Sequence, residues 1–389
     1  MNTVSADQTH WFEYFPGQYM WSQAMMMAFG LAAWRASDFG DVDRAGRRLK
    51  QRVGDNDAWF NEWRKIAEEA ELRATEAERL GRFVTASDAF LRAATYYFFA
   101  ERFLSHFNPE KLDSYRKSLA CLAKGAARAM PGLEKVKIPY ESTHLSAYFL
   151  PPSFARKTPY PTVVFFDGLD ICKEITIHFA RELGRRGLAC LVVDGPGQGE
   201  SLRMQNIPSR HDYEVAARAA VDYLEGRSDV DRARLGVMAL SMGGYYAPRC
   251  AAFEKRFKAC VAWGAHYDYH ALWVKRRQVM EAGGSRISAP NFHLPWVLGV
   301  ENMDQAMEAL KPFTLRDVAK KITCPILITH GERDTIVPVE NAHALFNEIS
   351  SKDKELKVFQ PEEGGAEHCQ VDLLQVGLGY MADWMVEHL

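Results

Sequence analysis

The chain has 389 residues, too many for one ordinary domain of roughly 150 residues, and this length indicates one large or two medium domains with a sizeable core. Its hydrophobic and charged fractions, 47% and 25%, are those of an average globular protein. The formal net charge of −2 gives no electrostatic reason to expect a nucleic acid or an anionic membrane. We therefore expect a small-molecule substrate and neither of those partners.

The cysteines and the amino terminus bear on the compartment. The seven cysteines are scattered, odd in number and without CxxC spacing, which argues against a disulfide framework and against a metal site. Residues 1–10 lack the basic start and the cleavage pattern of a signal peptide. Both features predict reduced thiols and a cytoplasmic location.

Residues 14–34 carry no charge, but Pro16, Gly17 and several polar side chains interrupt the run, so it does not fit a membrane span of roughly 20 apolar residues. A buried helix fits better. The helix carries Trp21, Met25, Met26, Met27 and Trp34. Because methionine-rich surfaces adapt to irregular partners, this helix could form either a homodimer surface or a roof over a pocket.

An α-helical domain is predicted for residues 1–132. From about residue 11 to 130 apolar side chains recur at spacings of three and four, without the alternation of strands. The pattern predicts helices over 56–81, 85–106 and 109–129, and Pro131-Gly132 ends it.

An α/β domain is predicted for residues 133–389. Alternating runs at 136–140 and 145–150 predict an antiparallel hairpin. Short apolar runs then alternate with helical stretches, which is typical of a parallel sheet covered on both faces. These runs are 162–166, 189–193, 235–239, 260–263, 326–329 and 356–359. The alternation pauses between them at about 265–320, where large apolar side chains indicate an inserted helical cap.

A serine follows the central apolar run. Ser241 stands between the small residues Ala239 and Gly243, as a sharp strand-to-helix elbow requires. A serine that only caps the following helix would give a similar pattern. The elbow interpretation therefore depends on whether the chain also supplies a base and an acid.

Two later loops supply them. Asp334 follows the strand at 326–329, and His368 lies in a small-residue loop before the last helix. Strand ends meet at one edge of an open α/β sheet, where sites form. The order Ser, Asp, His is that of a hydrolase triad. Glu332 is the alternative acid, and we expect His330 to be structural.

These motifs carry a resemblance. Over residues 133–389 the chain resembles the α/β-hydrolase superfamily. The resemblance rests on the run from Asp194 to Ser201 (DGPGQGES), the serine elbow, the HGERDTIVP loop and the triad histidine, His368. With the preceding helical domain and the DGLD run at 167–170, the chain further resembles the family of 2,6-dihydroxypseudooxynicotine hydrolase, the fungal heptaketide (pigment) hydrolases and the FrsA-like proteins.

The resemblance implies roles for the site residues. Ser241 would be the nucleophile, His368 the base and then the acid, and Asp334 the residue that orients the imidazole. The oxyanion hole would use the Met242 amide and the turn at Gly168 and Leu169. Hydrolysis of this kind needs no cofactor and no metal.

Some members of the family cleave a carbon–carbon bond beside a ketone, and others cleave esters. Polar and aromatic side chains at the oxyanion turn and the start of the cap are candidates to bind an aromatic substrate, although packing between core and cap explains them equally well. These candidates are Asp170, Trp263, His266, Tyr267, Asp268 and His270.

The sequence thus predicts a serine hydrolase that cleaves a carbon–carbon bond next to a ketone in an aromatic or polyketide-like substrate. A carboxylesterase or amidase acting on a small aromatic ester or amide is the alternative. A non-catalytic hydrolase-like binding protein is a third possibility, and the complete set of Ser241, Asp334 and His368 argues against it.

Overall fold

A computed structural model of the chain describes residues 12–153, 158–281 and 289–389. The predicted absence of a signal peptide in residues 1–10 lies outside the described residues, as do residues 282–288 of the predicted cap.

Five helices form the amino-terminal part, and the three helices predicted there are confirmed with small shifts at their ends. The Asp55 carboxylate accepts a hydrogen bond from the Ala58 amide, and Asn108 caps the last of the five helices with Pro109 in its first turn. The helices are α1 Tyr19–Gly30, α2 Phe39–Leu49, α3 Asn56–Arg79, α4 Phe83–Glu101 and α5 Pro109–Ala129.

One eight-stranded sheet follows, and all the predicted strands are present. Its strands are β1 Glu134–Tyr140, β2 Thr143–Leu150, β3 Tyr160–Phe166, β4 Ala189–Asp194, β5 Val230–Leu240, β6 Phe257–Trp263, β7 Ile326–Gly331 and β8 Lys354–Phe359. Their spatial order is β1-β2-β4-β3-β5-β6-β7-β8. β2 pairs antiparallel with β1 and β4, and the remaining pairs are parallel. The predicted antiparallel start of a mostly parallel sheet is therefore confirmed.

Helices cover both faces of the sheet. They are α6 Lys173–Arg185, α7 Gly199–Gln205, α8 Glu214–Glu225, α9 Gly243–Phe253, α10 Tyr269–Glu281, α11 His293–Leu298, α12 Met303–Leu310, α13 Glu340–Glu348 and α14 Leu374–His388. Three of these, α10 to α12, lie between β6 and β7, where the cap was predicted.

The two faces of the sheet have separate cores. One core packs α8, α9 and the cap against the sheet. The other runs without interruption from α1–α5 to α6 and α14. Trp34 contacts Phe179 of α6 at 5.6 Å between ring centroids. The amino-terminal helices therefore share their core with one face of the sheet. The boundary between two domains at residue 132 stays a prediction.

The uncharged stretch at 14–34 packs inward. Trp21, Met25 and Trp34 are buried, and Trp21 lies 4.8 Å from Trp59 between ring centroids. Trp21, Met25, Met27 and Trp34 are thus covered within the chain and Met26 is half-buried, so these side chains offer little exposed area, and the homodimer stays a prediction. Within the described ranges, no helix combines the length and hydropathy needed to cross a bilayer.

Candidate active site

Ser241 occupies a sharp turn between β5 and α9. Its φ of 58° is in the left-handed region, an uncommon conformation for a residue with a side chain. Its amide donates to the Trp263 carbonyl at 2.8 Å. A Cβ at Gly243 would lie 2.5 Å from the Cβ of Ala239 and 3.1 Å from the Asp167 carbonyl oxygen. The elbow therefore requires small residues on both sides of the serine, as its sequence indicated.

The three predicted catalytic side chains form one hydrogen-bonded chain. Ser241 Oγ lies 2.8 Å from His368 Nε2, and His368 Nδ1 lies 2.7 Å from Asp334 Oδ2. The other carboxylate oxygen, Oδ1, accepts from the amides of Ile336 and Val337 at 2.9 and 2.8 Å. Asp334 is thus held as an acceptor, and His368 can present the lone pair of Nε2 to the serine.

Electrostatic interactions favour the charged forms of both His368 and Asp334. Burial alone would lower the pKa of His368, but the Asp334 carboxylate outweighs it and raises that pKa well above its ordinary value. Burial would raise the pKa of Asp334, yet the charge and hydrogen bond of His368 hold it below its ordinary value. The imidazolium form of His368 is therefore stabilised beside the ionised Asp334 carboxylate.

The alternative acid is placed elsewhere. Glu332 is exposed on the same loop, whereas the Asp334 side chain is fully buried against His368. His330 is buried, and its Nε2 donates to the Val337 carbonyl at 2.7 Å, which is the structural role expected for it.

The predicted oxyanion turn lies against the elbow. A Cβ at Gly168 would lie 2.9 Å from Ser241 Cβ, so only glycine allows this approach. His293 of α11 donates through Nε2 to the Leu169 carbonyl at 3.0 Å and fixes the turn from the cap side. Met242 directly precedes α9, whose first amides have no partner inside the helix. The geometry is compatible with oxyanion donors at Met242 and Leu169.

Known proteins match the chain over most of its length. A profile described as "Esterase FrsA-like" matches residues 49–363. Hydrolase LUC6 of a Fusarium species is 30% identical, over 92% of this chain and 94% of its own.

The chain belongs to the FrsA-like esterase family. The 20-hydroxy-prefusarin hydrolase of Gibberella moniliformis is 28% identical, over 92% of this chain and 93% of its own. The crystal structure of 2,6-dihydroxy-pseudo-oxynicotine hydrolase superposes with a TM-score of 0.77 at 25% identity, over 93% of this chain and 95% of that one. This FrsA-like chain therefore has the α/β-hydrolase fold and is an enzyme of that family.

Two of the predicted substrate-binding side chains are engaged elsewhere in this FrsA-like chain. Asp170 accepts from Arg102, which follows α4, at 2.7 Å in a nearly buried ion pair. Trp263 is buried in the core on the α6 face, 5.7 Å from Phe179, and its Nε1 donates to Gln370 at 2.8 Å. Trp263 follows Val261 at the two-residue period of β6 and so shares the α6 face, and its role in substrate binding stays a prediction.

The start of the cap is also tied down. Tyr267 bonds Glu348, and Asp268 accepts from Arg316 at 2.9 Å and caps α10. These contacts give both side chains structural roles, and their part in substrate binding stays a prediction. His270 is half-buried in the first turn of α10, and its role stays a prediction.

His266 is the predicted candidate that does lie beside the triad. Its ring is 6.5 Å from that of His368 and 5.1 Å from that of Tyr269, between centroids. Nδ1 donates to the Gly264 carbonyl at 2.9 Å. Burial, followed by the charges of His368 and Arg276, lowers the pKa of His266 well below its ordinary value. A neutral imidazole therefore borders the site.

Sequence reasoning missed two polar side chains near the triad. Tyr19 of α1 is buried beside Thr335, and its pKa is raised first by burial and then by the Asp334 charge. Arg276 of α10 donates to the Ile336 carbonyl at 2.5 Å. Tyr19 belongs to the uncharged stretch at 14–34, for which a roof over the pocket is one of the two predicted roles. That alternative is the sequence feature that points to Tyr19.

It also missed the groups that hold the oxyanion turn. Gln198, within the DGPGQGES run, donates through Nε2 to the Asp167 carbonyl at 2.5 Å and accepts from the Gly195 amide at 2.9 Å. The family motif predicts no role for this glutamine. Gln198 joins the loop after β4 to the loop after β3.

A buried charge cluster lies under the same turn. Lys173 Nζ lies 2.8 Å from both Asp194 and Glu200, and Asp167 bonds Thr176. Burial, and then the negative charge of Asp194, raises the pKa of Asp167 well above its ordinary value. The protonated form of Asp167 is therefore favoured more strongly beneath the oxyanion turn than it would be in water.

Proposed function

We propose that the chain is a serine-nucleophile hydrolase that cleaves a carbon–carbon bond next to a ketone in an aromatic or polyketide-like substrate. The continuous hydrogen-bonded path from Ser241 through His368 to Asp334 is the observation that carries the proposal. Two relatives are named for hydrolysis of 20-hydroxy-prefusarin and of 2,6-dihydroxy-pseudo-oxynicotine, which favours such a substrate here.

In this reaction Ser241 Oγ attacks the ketone carbon while His368 Nε2 takes its proton. The carbonyl oxygen becomes negative and faces the amides of Met242 and Leu169; one such donor is worth about 2.7–4 kcal/mol in the transition state. The carbon–carbon bond then breaks, the electron pair leaves with the departing fragment, and His368 returns its proton to that carbon. Water, activated by His368, releases the acyl group from Ser241 as a carboxylic acid.

Ester or amide hydrolysis is the second candidate function. The family description, which names an esterase, favours it, and the same three side chains serve both reactions. The two differ only in the leaving atom that His368 protonates.

A fluorophosphonate probe tests the nucleophile. We expect it to label the wild-type chain, and the label to map to Ser241 and disappear in Ser241→Ala. Thr75→Ala is the matched control, because this hydroxyl lies on the exposed α3 and bonds only the Glu71 carbonyl. Absence of labelling would overturn the proposal and favour a non-catalytic binding protein.

Product analysis separates the two reactions. The chain is incubated with acyl-phenol ketones and with p-nitrophenyl esters, and the products are identified by mass spectrometry. Release of a carboxylic acid and a shortened phenol from the ketones supports carbon–carbon hydrolysis. Turnover of the esters alone would establish the esterase function instead.

A further inference from the structure

A guanidinium on the cap has no anionic partner. Arg276 of α10 lies over the Trp273 ring, 4.9 Å from its centroid, and one terminal nitrogen donates to the Ile336 carbonyl at 2.5 Å. Its Nε is buried and lacks a hydrogen-bond partner. Among the described side chains, no carboxylate stands within ion-pair distance of Arg276. Tyr269 also shares a side-chain hydrogen bond with Arg276, and the donors that remain, Nε among them, are available to a ligand.

The Arg276 side chain is half-buried, so part of its charge is removed from water without an anionic partner. A guanidinium stays charged in proteins, and an unpaired charge that loses part of its hydration is destabilising. Asp334 is the carboxylate whose charge reaches Arg276, but its two oxygens already serve His368 and the amides of Ile336 and Val337. Asp334 therefore cannot supply a counter-ion without giving up the contacts that orient His368.

Arg276 lies on the triad side of the cap. Ile336, which accepts its hydrogen bond, follows Asp334 by two residues. A row of rings makes the second connection: His368 to His266 is 6.5 Å, His266 to Tyr269 is 5.1 Å, and Tyr269 to Trp273 is 6.3 Å, between centroids. The guanidinium therefore lies close to the Asp334 loop, and the ring row connects the helix that carries it to His368.

We propose that Arg276 binds an anionic oxygen group of the substrate, either the enolate that forms when a β-diketone is cleaved or a carboxylate that the substrate carries. This inference rests on the proposed function. The planar guanidinium matches such delocalised oxyanions, with two parallel N–H donors.

If Arg276 binds the enolate, the reaction proposed above accounts for every bond, electron pair and proton. Ser241 Oγ bonds to one carbonyl carbon, the bond to the central carbon breaks, and its electron pair moves onto the oxygen of the second carbonyl, facing Arg276. His368 Nε2 then returns the serine proton to the central carbon. The guanidinium neither gains nor loses a proton.

Calorimetric titration tests the anion site directly. The protein is the full chain carrying Ser241→Ala, so that ligands stay intact. One matched pair is 4-oxo-4-phenylbutanoate and its amide; the other is 2-acetylcyclohexane-1,3-dione, an ionised enol at neutral pH, and the uncharged 2-acetylcyclohexanone. We expect at least one anion to bind about ten- to a hundred-fold more tightly than its neutral partner. A preference in the first pair identifies a carboxylate, and in the second pair an enolate.

The same titrations are repeated with Arg276→Gln, Arg276→Lys and the control Arg277→Gln. The neighbouring Arg277 pairs with Asp304 at 2.6 Å, outside the ring row. We expect the glutamine variant to lose the preference, the lysine variant to keep part of it, and the control to keep all of it. Circular dichroism confirms that each variant is folded.

Two results would overturn the inference: equal affinity for anion and neutral partner before Arg276 is changed, or an unchanged preference in Arg276→Gln. These titrations do not require a working nucleophile. Failure of fluorophosphonate labelling therefore rejects the proposed function, and failure of the titrations rejects the anion site, each independently of the other.

Discussion

Two hydrogen bonds set the state of His368. The bond from Nδ1 to Asp334 fixes the tautomer, and the bond between Nε2 and Ser241 places the lone pair at the serine proton. Burial disfavours the imidazolium form of His368, and the negative charge of the Asp334 carboxylate outweighs this effect.

Replacing Asp334 with asparagine tests this balance. In the wild type, kcat/KM is expected to rise with pH through an apparent pKa above the ordinary histidine value near 6.5, because protonated His368 cannot act as a base. Asp334→Asn removes the charge that raises this pKa, so the acid limb should move to lower pH. The rate should fall by roughly 10⁴-fold, as for the same change in serine protease triads. Hydrolysis rates of p-nitrophenyl acetate from pH 4 to 9 measure both effects.

The control for Asp334 lies on the same loop. Glu332 is exposed, so Glu332→Gln should leave the rate and the pH profile unchanged. A large loss in Glu332→Gln with a mild one in Asp334→Asn would reverse the assignment of the acid.

Gly168 offers a second test at single-residue scale. A methyl group there would lie 2.9 Å from the Leu240 carbonyl oxygen and from Ser241 Cβ, so Gly168→Ala must push the oxyanion turn away from the elbow. We expect kcat to fall by about 10²–10³-fold, the effect of losing one oxyanion donor, with a smaller change in KM. Gly226→Ala, at an exposed glycine with a φ of −74°, should change neither constant. Equal effects in both variants would contradict the role of this turn.

At the scale of elements, the oxyanion turn is held from three directions. Gln198 reaches it from the loop after β4, His293 from α11 in the cap, and Arg102 from the end of α4. Each anchor belongs to a different part of the chain. The turn is therefore positioned by contacts between elements as well as by its own backbone.

Asp170→Asn tests the anchor from α4. The side chains of Arg102 and Asp170 are 1% and 10% exposed, and removal of one partner from a buried pair leaves an uncompensated charge. We expect the free energy of unfolding to fall by about 3–5 kcal/mol. Urea denaturation followed by tryptophan fluorescence measures this change.

Asp113→Asn is the matched control, because Asp113 pairs with Arg116 on the surface and exposed pairs contribute little. If Asp170→Asn raised KM without lowering stability, Asp170 would be a substrate ligand, as its position in the sequence first predicted.

At the scale of the whole molecule, the amino-terminal helices and the sheet have a common core. The cluster that contains Trp21 and Trp59 continues to Phe179 and the α14 side of the sheet, and Tyr19 of α1 reaches the loop of Asp334. A domain that shares its core and borders the site should not unfold independently.

Trp21→Ala tests this coupling. The side chain is fully buried, and large-to-small changes of this type cost about 3–5 kcal/mol. We expect one cooperative transition, shifted equally when it is followed by circular dichroism and by fluorophosphonate labelling. Leu72→Ala on α3, at a side chain that is 72% exposed, should change the free energy of unfolding by less than about 0.5 kcal/mol. Loss of ellipticity at lower urea than loss of labelling would show that the helices unfold separately.

The three longest helices, the strands and the order of the candidate triad were all predictable from the sequence alone. Each of these depends on a short local pattern: apolar spacing, small residues around Ser241, and a polar loop after a strand for Asp334 and His368. The two-residue period of β6 also places Trp263 on the same face as Val261, in the core shared with α6.

The surroundings of the triad depend on tertiary packing and could not be predicted from local sequence patterns. This packing turned Asp170 to Arg102, brought Tyr19 to the Asp334 loop, and left Arg276 without a counter-ion among the described side chains. These relations join segments that are separated by many residues in the chain. A local pattern fixes which face of an element is apolar, but the partner of a polar side chain depends on how whole elements pack, and that packing is set by the shared core.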